Sequence, residues 1–145
     1  MPDIVDRATR SRMMSNVRVT DTEPELVVRR FLHRRGFRYR LNAPDLPGRP
    51  DVVLPKHRAV IFVNGCFWHA HEGCALFQAP KTRQDFWNNK LMSNRERDTR
   101  NRNNLLSQGW RVATVWECAT RDDLSRLARL VGWIRSDQAS LDIGY

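Results

Sequence analysis

The sequence predicts an α/β fold in which a mixed central sheet is flanked by helices. Segments with apolar residues at helical spacing alternate with short β-rich segments, and their order is α-β-β-β-α-β-α. The length of 145 residues suits one domain around one hydrophobic core. We therefore expect a single domain over residues 22–135, preceded by a basic arm or short helix at 1–21 and followed by a loose tail at 136–145.

The first predicted helix covers residues 22–35. Thr22 is a suitable N-cap, Pro24 falls in the first turn, and Glu25 stands three residues after Thr22, as in a capping box. One stripe of apolar side chains follows, and Gly36 is a good stop signal. The segment is therefore typical of an amphipathic helix.

The next segments predict the first strands of the sheet. Residues 37–41 suit a short strand. Residues 50–55 and 58–63 are two β-rich runs separated by only two residues, which is typical of a hairpin. Residues 65–81 are rich in histidine, cysteine and aromatic side chains, and we expect them to be irregular in structure.

A long helix is predicted over residues 82–108, ended by Gly109. Its middle, residues 94–104, contains no apolar residue, so it cannot be fully buried and faces solvent or a polar partner. Residues 110–116 alternate as a strand does. A last amphipathic helix is predicted by Leu124, Leu127, Leu130, Val131 and Ile134.

The chain is strongly basic, with a net charge of +9, and 22 of its 25 basic side chains are arginines. The planar arginine fork fits phosphate oxygens and guanine edges. Charge alone indicates a polyanionic partner, either nucleic acid or an anionic membrane surface, and does not indicate an enzyme. No apolar run approaches the roughly 20 residues of a membrane helix. The N-terminus also lacks the apolar core of a signal peptide, so we expect a cytosolic protein.

Three cysteines and one histidine form a candidate metal site. An odd number of cysteines cannot form a closed set of internal disulfides, so thiols near histidines suggest metal first. Three thiols and one imidazole suit a tetrahedral structural zinc site with no open position for catalysis, and the candidates are Cys66, His71, Cys74 and Cys118. Spacing alone leaves open that His69 replaces His71 as the ligand, or that the cysteines are buried and free. The zinc deaminase pattern is not met, since no Pro-Cys-x-x-Cys follows.

A second, different site is indicated by Asp51. Hydrolysis of a phosphodiester needs neutralised phosphate charge and an activated water. Asp51 opens a strand and offers the oxygen ligand that magnesium prefers. The sequence Gly48-Arg-Pro-Asp51 is similar to the first half of a Pro-Asp…(Asp/Glu)-x-Lys nuclease motif, but the strand 58–63 carries neither the acid nor the lysine. His69 is then the candidate base, because imidazole titrates near neutrality.

Several motifs together resemble those of the very-short-patch repair (Vsr) endonucleases. They are Ala-Thr-Arg-Ser-Arg-Met-Met at 8–14, Gly-Arg-Pro-Asp at 48–51, Ile-Phe-Val-Asn-Gly-Cys-Phe-Trp-His at 61–69, Phe-Trp-Asn-Asn-Lys at 86–90, Arg-Asp at 97–98, and Gly-Trp-Arg-Val with Trp-Glu-Cys within 109–118. The resemblance spans about residues 5–135. It departs at Val63 and Asn64, where the family often has threonine and histidine.

The resemblance implies a restriction-endonuclease-like fold and nicking of DNA 5′ to a thymine mispaired with guanine, where a 5-methylcytosine has deaminated. It implies magnesium held by Asp51 and the main-chain carbonyl of Val63, with His69 as general acid/base and Glu25 and Asp98 as supporting acids. It also implies structural zinc and a functional link to a cytosine-5 DNA methyltransferase. The zinc ligands so implied are Cys66, His71, Cys74 and Cys118.

Large aromatic side chains suggest how a mismatch is read. Core packing is the ordinary role of such residues, but near a phosphate-cleaving site they suggest insertion into the base stack, which costs less at a mismatched pair. Another side chain on the basic arm would press from the minor groove, and two on the long helix would touch bases or phosphates. The expected DNA-contacting residues are Phe67, Trp68, Trp87, Met14, Lys90 and Asn94.

Two alternative functions remain at this point. One is a zinc-stabilised DNA-binding module without catalysis, which the acids Glu25, Asp51 and Asp98 argue against, since a phosphate binder gains nothing from them. The other is a restriction-type nuclease that cuts intact sites. A single short domain without an evident dimer surface argues against that alternative, and we expect a monomer.

Overall fold

The computed structural model describes residues 22–69, 71, 74, 81–121 and 124–144. The predicted arm at 1–21, which includes Met14, lies outside the described residues. The described helices are α1 (Glu23–Arg34), α2 (Gln84–Ser107) and α3 (Ala128–Ile134). The described strands are β1 (Arg40–Leu41), β2 (Val52–Leu54), β3 (Ala59–Asn64), β4 (Arg111–Trp116) and β5 (Ser140–Ile143).

The five strands form one mixed sheet in the order β1-β2-β3-β4-β5. The pairs β1–β2 and β2–β3 are antiparallel, and the pairs β3–β4 and β4–β5 are parallel. The predicted hairpin is confirmed, since a 3-10 turn at Pro55–His57 joins β2 to β3 and Arg58 closes it with a φ of 52°. The predicted α/β class, a mixed sheet flanked by helices, is therefore confirmed.

The fifth strand shows that the prediction of a loose tail at 136–145 was wrong. Ser140–Ile143 pairs in parallel with β4, and Ile143 lies beside Val115. Ile143 is fully buried, and Leu141 packs against the same core. Two apolar side chains in four residues are too few to define an alternating pattern, whereas the open edge of β4 supplies backbone partners that the sequence does not display.

Two local predictions also need correction. Leu124–Leu127 forms a 3-10 turn ahead of α3, so the last α-helix is shorter than expected. Thr22 is the N-cap of α1, but its side chain makes no capping hydrogen bond. Glu25 does not form the reciprocal half of a capping box, because it turns into the protein, where its carboxylate accepts a hydrogen bond from Arg29 one helical turn later.

The helices cover the two faces of the sheet unequally. α1 and α3 pack on one face, and the largest hydrophobic cluster lies between them and the strands. α2 covers the other face with a smaller cluster that includes Leu105. No residue of 94–104 is buried, which confirms that the polar middle of α2 stays outside the core. None of the helices in the described part of the chain combines the length and hydrophobicity that a membrane crossing needs.

Candidate active site

A cleft of ≈ 790 Å³ opens where β3 and β4 end, between the first turn of α1 and the middle of α2. Its position follows from the fold, because the polar part of α2 does not close onto the sheet as the rest of the helix does. Six residues that the sequence analysis singled out line this cleft: Glu25, Asp51, Val63, Trp68, His69 and Asp98. Four different segments of the chain therefore meet around one space.

Gly48 holds the loop that carries Asp51 against α2. Its φ is +76°, and a Cβ at this position would lie 2.9 Å from the Cβ of Asn101. A larger residue would meet both a strained backbone and a steric clash. The Gly-Arg-Pro-Asp motif therefore begins with glycine for a structural reason that places Asp51 at the cleft.

Asp51 is half-buried at the start of β2, and its Oδ2 accepts a hydrogen bond of 2.6 Å from the backbone N–H of Val63. Burial raises the pKa of Asp51 from its usual 3.8 to about 7. The Val63 N–H lowers it, and the neighbouring Glu25 carboxyl raises it. Two carboxyl groups therefore lie side by side in a site where a second negative charge is unfavourable.

Glu25 reaches this site from α1 and is 2% exposed. Its Oε2 accepts a hydrogen bond of 3.1 Å from the guanidinium of Arg29, which is itself buried. This ion pair holds the Glu25 carboxylate in place beside Asp51. Sequence reasoning found Glu25 but missed Arg29, although the i,i+4 spacing of the two residues on a helix was a usable signal.

His69 and Asp98 form a hydrogen-bonded pair that also lines the cleft. The Nδ1 of His69 lies 2.5 Å from Oδ2 of Asp98 on α2, and both side chains are partly exposed. A histidine that donates through Nδ1 keeps Nε2 for another partner. The geometry is that of an imidazole oriented by a carboxylate, with its second nitrogen left for proton transfer.

The predicted metal ligands come together in a separate cluster. One ligand atom from each of the four residues lies within 4.8 Å of the other three, and the set is Cys66, His71, Cys74 and Cys118. His71 Nδ1 lies 3.6 Å from the Sγ atoms of both Cys66 and Cys118. His69 is not part of this cluster, and its Nδ1 contacts Asp98 instead. Of the alternatives that spacing left open, the geometry therefore favours His71 as the cluster's imidazole.

The chemical state of this cluster suits a metal. All three cysteines are buried and free of disulfides. Burial raises the pKa of the Cys66 thiol to about 12, so without a cation the thiol stays protonated. Burial also lowers the pKa of His71, which keeps its ring neutral as a ligand must be. The cluster could therefore hold one metal ion, and its sulfur and nitrogen donors differ from the oxygen donors at Asp51.

The C-terminal strand supports the metal cluster, which sequence reasoning did not foresee. The imidazole of His71 stacks on Trp116, and the indole N–H of Trp116 donates to Asp142 on β5 at 3.0 Å. Gly144 lies against the Cε1–Nε2 edge of the His71 ring. Asp142 and Gly144 were missed because the C-terminal strand that positions them was not predicted.

Four aromatic side chains form a cluster beside the cleft. Phe67 contacts Trp68 and Trp87, with ring centroids 5.1 and 5.6 Å away, and Phe86 joins at 5.4 Å from Trp87. Trp68 and Phe86 are 39% and 46% exposed, which is unusual for side chains of this size. Phe86 is a further member that the sequence analysis did not single out.

The two polar residues predicted to contact DNA differ in their surroundings. The side-chain amide of Asn94 donates a hydrogen bond of 2.9 Å to the carbonyl of Trp68, so it ties α2 to the aromatic cluster. Lys90 is exposed one helical turn earlier and does not line the cleft.

Comparison with known proteins identifies the family. The family model described as DNA mismatch endonuclease Vsr matches residues 2–76. The Type II nicking enzyme V.XorIIP of Xanthomonas oryzae is 48% identical over 130 residues, which cover 90% of this chain and 95% of that protein. The DNA mismatch endonuclease Vsr of Escherichia coli is 43% identical over 148 residues, which cover 99% of this chain and 94% of that protein.

A third relative, the Type II nicking enzyme V.NmeAIP of Neisseria meningitidis, is 41% identical over 93% of this chain. The site and these relatives define a DNA endonuclease. More specifically, the chain belongs to the Vsr DNA mismatch endonuclease family.

Proposed function

We propose that this endonuclease is magnesium-dependent and nicks the thymine-containing strand 5′ to a T·G mismatch that arises when 5-methylcytosine is deaminated. The observation that carries the proposal is the placement of Asp51 and the His69–Asp98 pair on one cleft beside an exposed aromatic cluster. The first two features suit hydrolysis of a phosphodiester, and the third suits entry into a weakened base stack.

Magnesium fits the donors at Asp51. The side chain is a hard oxygen ligand, and the raised pKa of Asp51 marks a carboxyl group whose ionisation is unfavourable unless a cation is near. We assign the main-chain carbonyl of Val63 as the second ligand. In an extended strand the N–H and C=O of one residue point to the same side, and the Val63 N–H points to Asp51. When bound, magnesium would neutralise phosphate charge and help to activate water.

His69 is the general acid/base in this proposal. Asp98 holds its Nδ1, so Nε2 can exchange a proton with water or with the leaving oxygen. Glu25 acts through Asp51, because its carboxyl group lies beside that of Asp51 and is held in place by Arg29. This chain lacks the second acid of the Pro-Asp…(Asp/Glu)-x-Lys motif. In this proposal a backbone oxygen and a histidine take its place.

The thiol-rich cluster is assigned to structural zinc. Four sulfur and nitrogen donors fill a tetrahedral shell and leave no position for substrate, and they are Cys66, His71, Cys74 and Cys118. The cluster joins the irregular segment after β3 to the turn after β4. Its role is to fix the segment that carries His69.

The aromatic cluster is assigned to mismatch recognition. Phe67, Trp68 and Trp87 would enter the base stack next to the mispaired thymine, where unstacking costs least. Asn94 and Lys90 would contact bases or phosphates from α2. Met14 lies outside the described residues, and its expected contact from the minor groove stays a prediction.

We further propose that the enzyme acts as a monomer in the bacterial cytoplasm and serves the recognition site of a cytosine-5 DNA methyltransferase. The relatives come from bacteria, and their names include nicking enzymes. A nick in one strand needs a single active site, so a second subunit is not required by the chemistry.

The test uses duplexes labelled differently on each strand, with one T·G pair or a T·A pair at the same position. We expect cleavage of the thymine strand of the T·G duplex in magnesium and none in excess chelator. Binding without cleavage would contradict the catalytic proposal, and equal cleavage of the T·A duplex would contradict the mismatch proposal.

A further inference from the structure

Two buried polar side chains line the cleft in addition to the proposed catalytic residues. Asn64, the last residue of β3, is 9% exposed, and Thr114 on β4 is 8% exposed. Both line the cleft. We call this pair the polar floor.

Strand register explains why the two side chains share one face. β3 and β4 are parallel, and Thr114 lies beside Phe62, two residues before Asn64. Side chains two residues apart in a strand point to the same face of the sheet. Phe62 packs with the cluster under α2, whereas Val63 belongs to the core on the other face. The polar floor therefore faces α2 and the cleft.

Neither side chain has a hydrogen-bonding partner among the described residues. Within the described residues, no hydrogen bond joins the Asn64 amide or the Thr114 hydroxyl to another group, and their polar atoms are not sealed from solvent. Thr120 makes an instructive contrast, since it is equally buried but donates a hydrogen bond of 2.7 Å to the carbonyl of Glu117. Buried polar groups without protein partners bind water.

The position of the polar floor points to the reaction. Asn64 directly follows Val63, whose N–H holds Asp51. Trp116 lies beside Asn64 in the register and 6.3 Å from the His69 ring. The floor thus lies between the carboxylate and the histidine of the site. Both side chains are more than nine-tenths buried, so they offer little surface to a DNA group, whereas water can reach polar atoms that are not sealed from solvent.

We propose that Asn64 and Thr114 bind water at the back of the cleft and position the water molecule that attacks the phosphodiester. This inference rests on the proposed hydrolytic function. In the reaction, the water oxygen forms a bond to phosphorus as the bond to the leaving sugar oxygen breaks. One water proton passes to Nε2 of His69, and the leaving oxygen takes a proton from solvent. Asn64 and Thr114 are positioning residues, because they touch the water and not the DNA.

The substitution Thr114→Val tests this role, because it keeps the shape of the side chain and removes only the hydroxyl. We expect kcat on the T·G duplex to fall about tenfold, the effect of losing one ordinary hydrogen bond to the reacting water. KM should stay unchanged, because the floor does not touch the duplex. Tm should be maintained or raised, because the substitution breaks no hydrogen bond within the described part of the protein.

Two control variants separate positioning from packing. Thr114→Ser keeps the hydroxyl and should retain kcat within about twofold, a change too small to reflect a lost hydrogen bond. Thr120→Val removes a paired hydroxyl away from the cleft, so it should lower Tm and leave kcat unchanged. A purely structural role for Thr114 would instead make Thr114→Val behave as Thr120→Val does.

The outcomes distinguish the inference from the function on which it rests. The water-positioning role would be overturned if Thr114→Val kept the wild-type kcat, or if Thr114→Ser and Thr114→Val lost kcat equally. In either case, nicking by the wild type would still uphold the proposed function. A wild-type protein that binds but never nicks would overturn both.

Discussion

The imidazole of His71 lies flat against the indole of Trp116, with ring centroids 4.0 Å apart and planes 5° apart. The indole N–H is in turn bonded to Asp142 on the C-terminal strand. Groups behind a metal-binding histidine fix its orientation and so its affinity for the metal. The last strand of the sheet therefore supports a metal cluster whose ligands all come from earlier in the chain.

Gly144 gives the first prediction. A Cβ there would lie 2.7 Å from Cε1 of His71, so Gly144→Ala must displace the ring. We expect Gly144→Ala to release its zinc to a chelator at least about tenfold faster than the wild type, as substitutions behind metal ligands typically do. Its Tm should fall as well.

Gly132→Ala is the matched control, because a Cβ at residue 132 on α3 meets nothing within 4 Å. Its zinc release should be unchanged, and its Tm unchanged or higher, since alanine favours helix. Equal zinc retention in the two variants would show that β5 does not support the cluster, and purified wild type without zinc would contradict the zinc assignment.

Asp51 gives a prediction about pH. Its folded-state pKa of about 7 lies above the usual 3.8, so ionisation between these values is less favourable in the folded protein than in the unfolded chain. The contribution of Asp51 to the stability of the metal-free protein therefore falls as pH rises from about 4 to about 7. Asp51→Asn removes this effect, so its Tm should exceed that of the wild type increasingly across that window.

Thermal unfolding in chelator at several pH values measures the difference. Parallel Tm profiles for the two proteins would contradict the raised pKa. Added magnesium should raise the Tm of the wild type above neutral pH and leave that of Asp51→Asn unchanged, since an ionised carboxylate is the ligand.

Asp98 gives a prediction about catalysis. Asp98→Asn replaces the carboxylate that orients His69, so we expect kcat on the T·G duplex to fall about 100-fold or more, within the usual range for general acid/base catalysis. KM should change little. Glu96→Gln, on the exposed side of the same helix, should keep wild-type kcat. Similar rates for Asp98→Asn and the wild type would remove the pair from the mechanism.

Trp68 gives a prediction about mismatch selectivity. Trp68→Ala removes one exposed ring from the aromatic cluster. In a competition binding assay, the preference for T·G over T·A duplexes should fall by about tenfold, which is the usual contribution of one stacking contact. Met92→Ala, which removes a more exposed apolar side chain of α2 outside that cluster, should leave the preference unchanged. A selectivity loss in both variants would indicate a general effect of apolar surface.

The sequence was informative where residue type and spacing carry the physics. The hairpin followed from two β-rich runs with a two-residue gap, and α2 followed from a polar helix bounded by Gly109. Counting thiols near histidines indicated the cluster at Cys66, but spacing left the histidine ligand open, and only the folded geometry favours His71.

The parts that could not be predicted depend on contacts between distant segments. β5 exists because β4 has an open edge, and the role of Asp142 depends on that pairing. Thr22 looked like a capping-box residue, but the burial of Glu25 against Arg29 outweighed the local pattern. Thr114 belongs to none of the quoted motifs, and only the register of β3 and β4 brings it to the same cleft as Asn64.

The most direct test of the central claim is single-turnover cleavage of a strand-labelled T·G duplex by the wild type and by Asp51→Asn, with duplex binding measured in parallel. The cleft at Asp51 and His69 is the catalytic centre if the wild type nicks only the thymine strand and Asp51→Asn binds equally well without nicking. Nicking by Asp51→Asn at the wild-type rate would contradict that assignment.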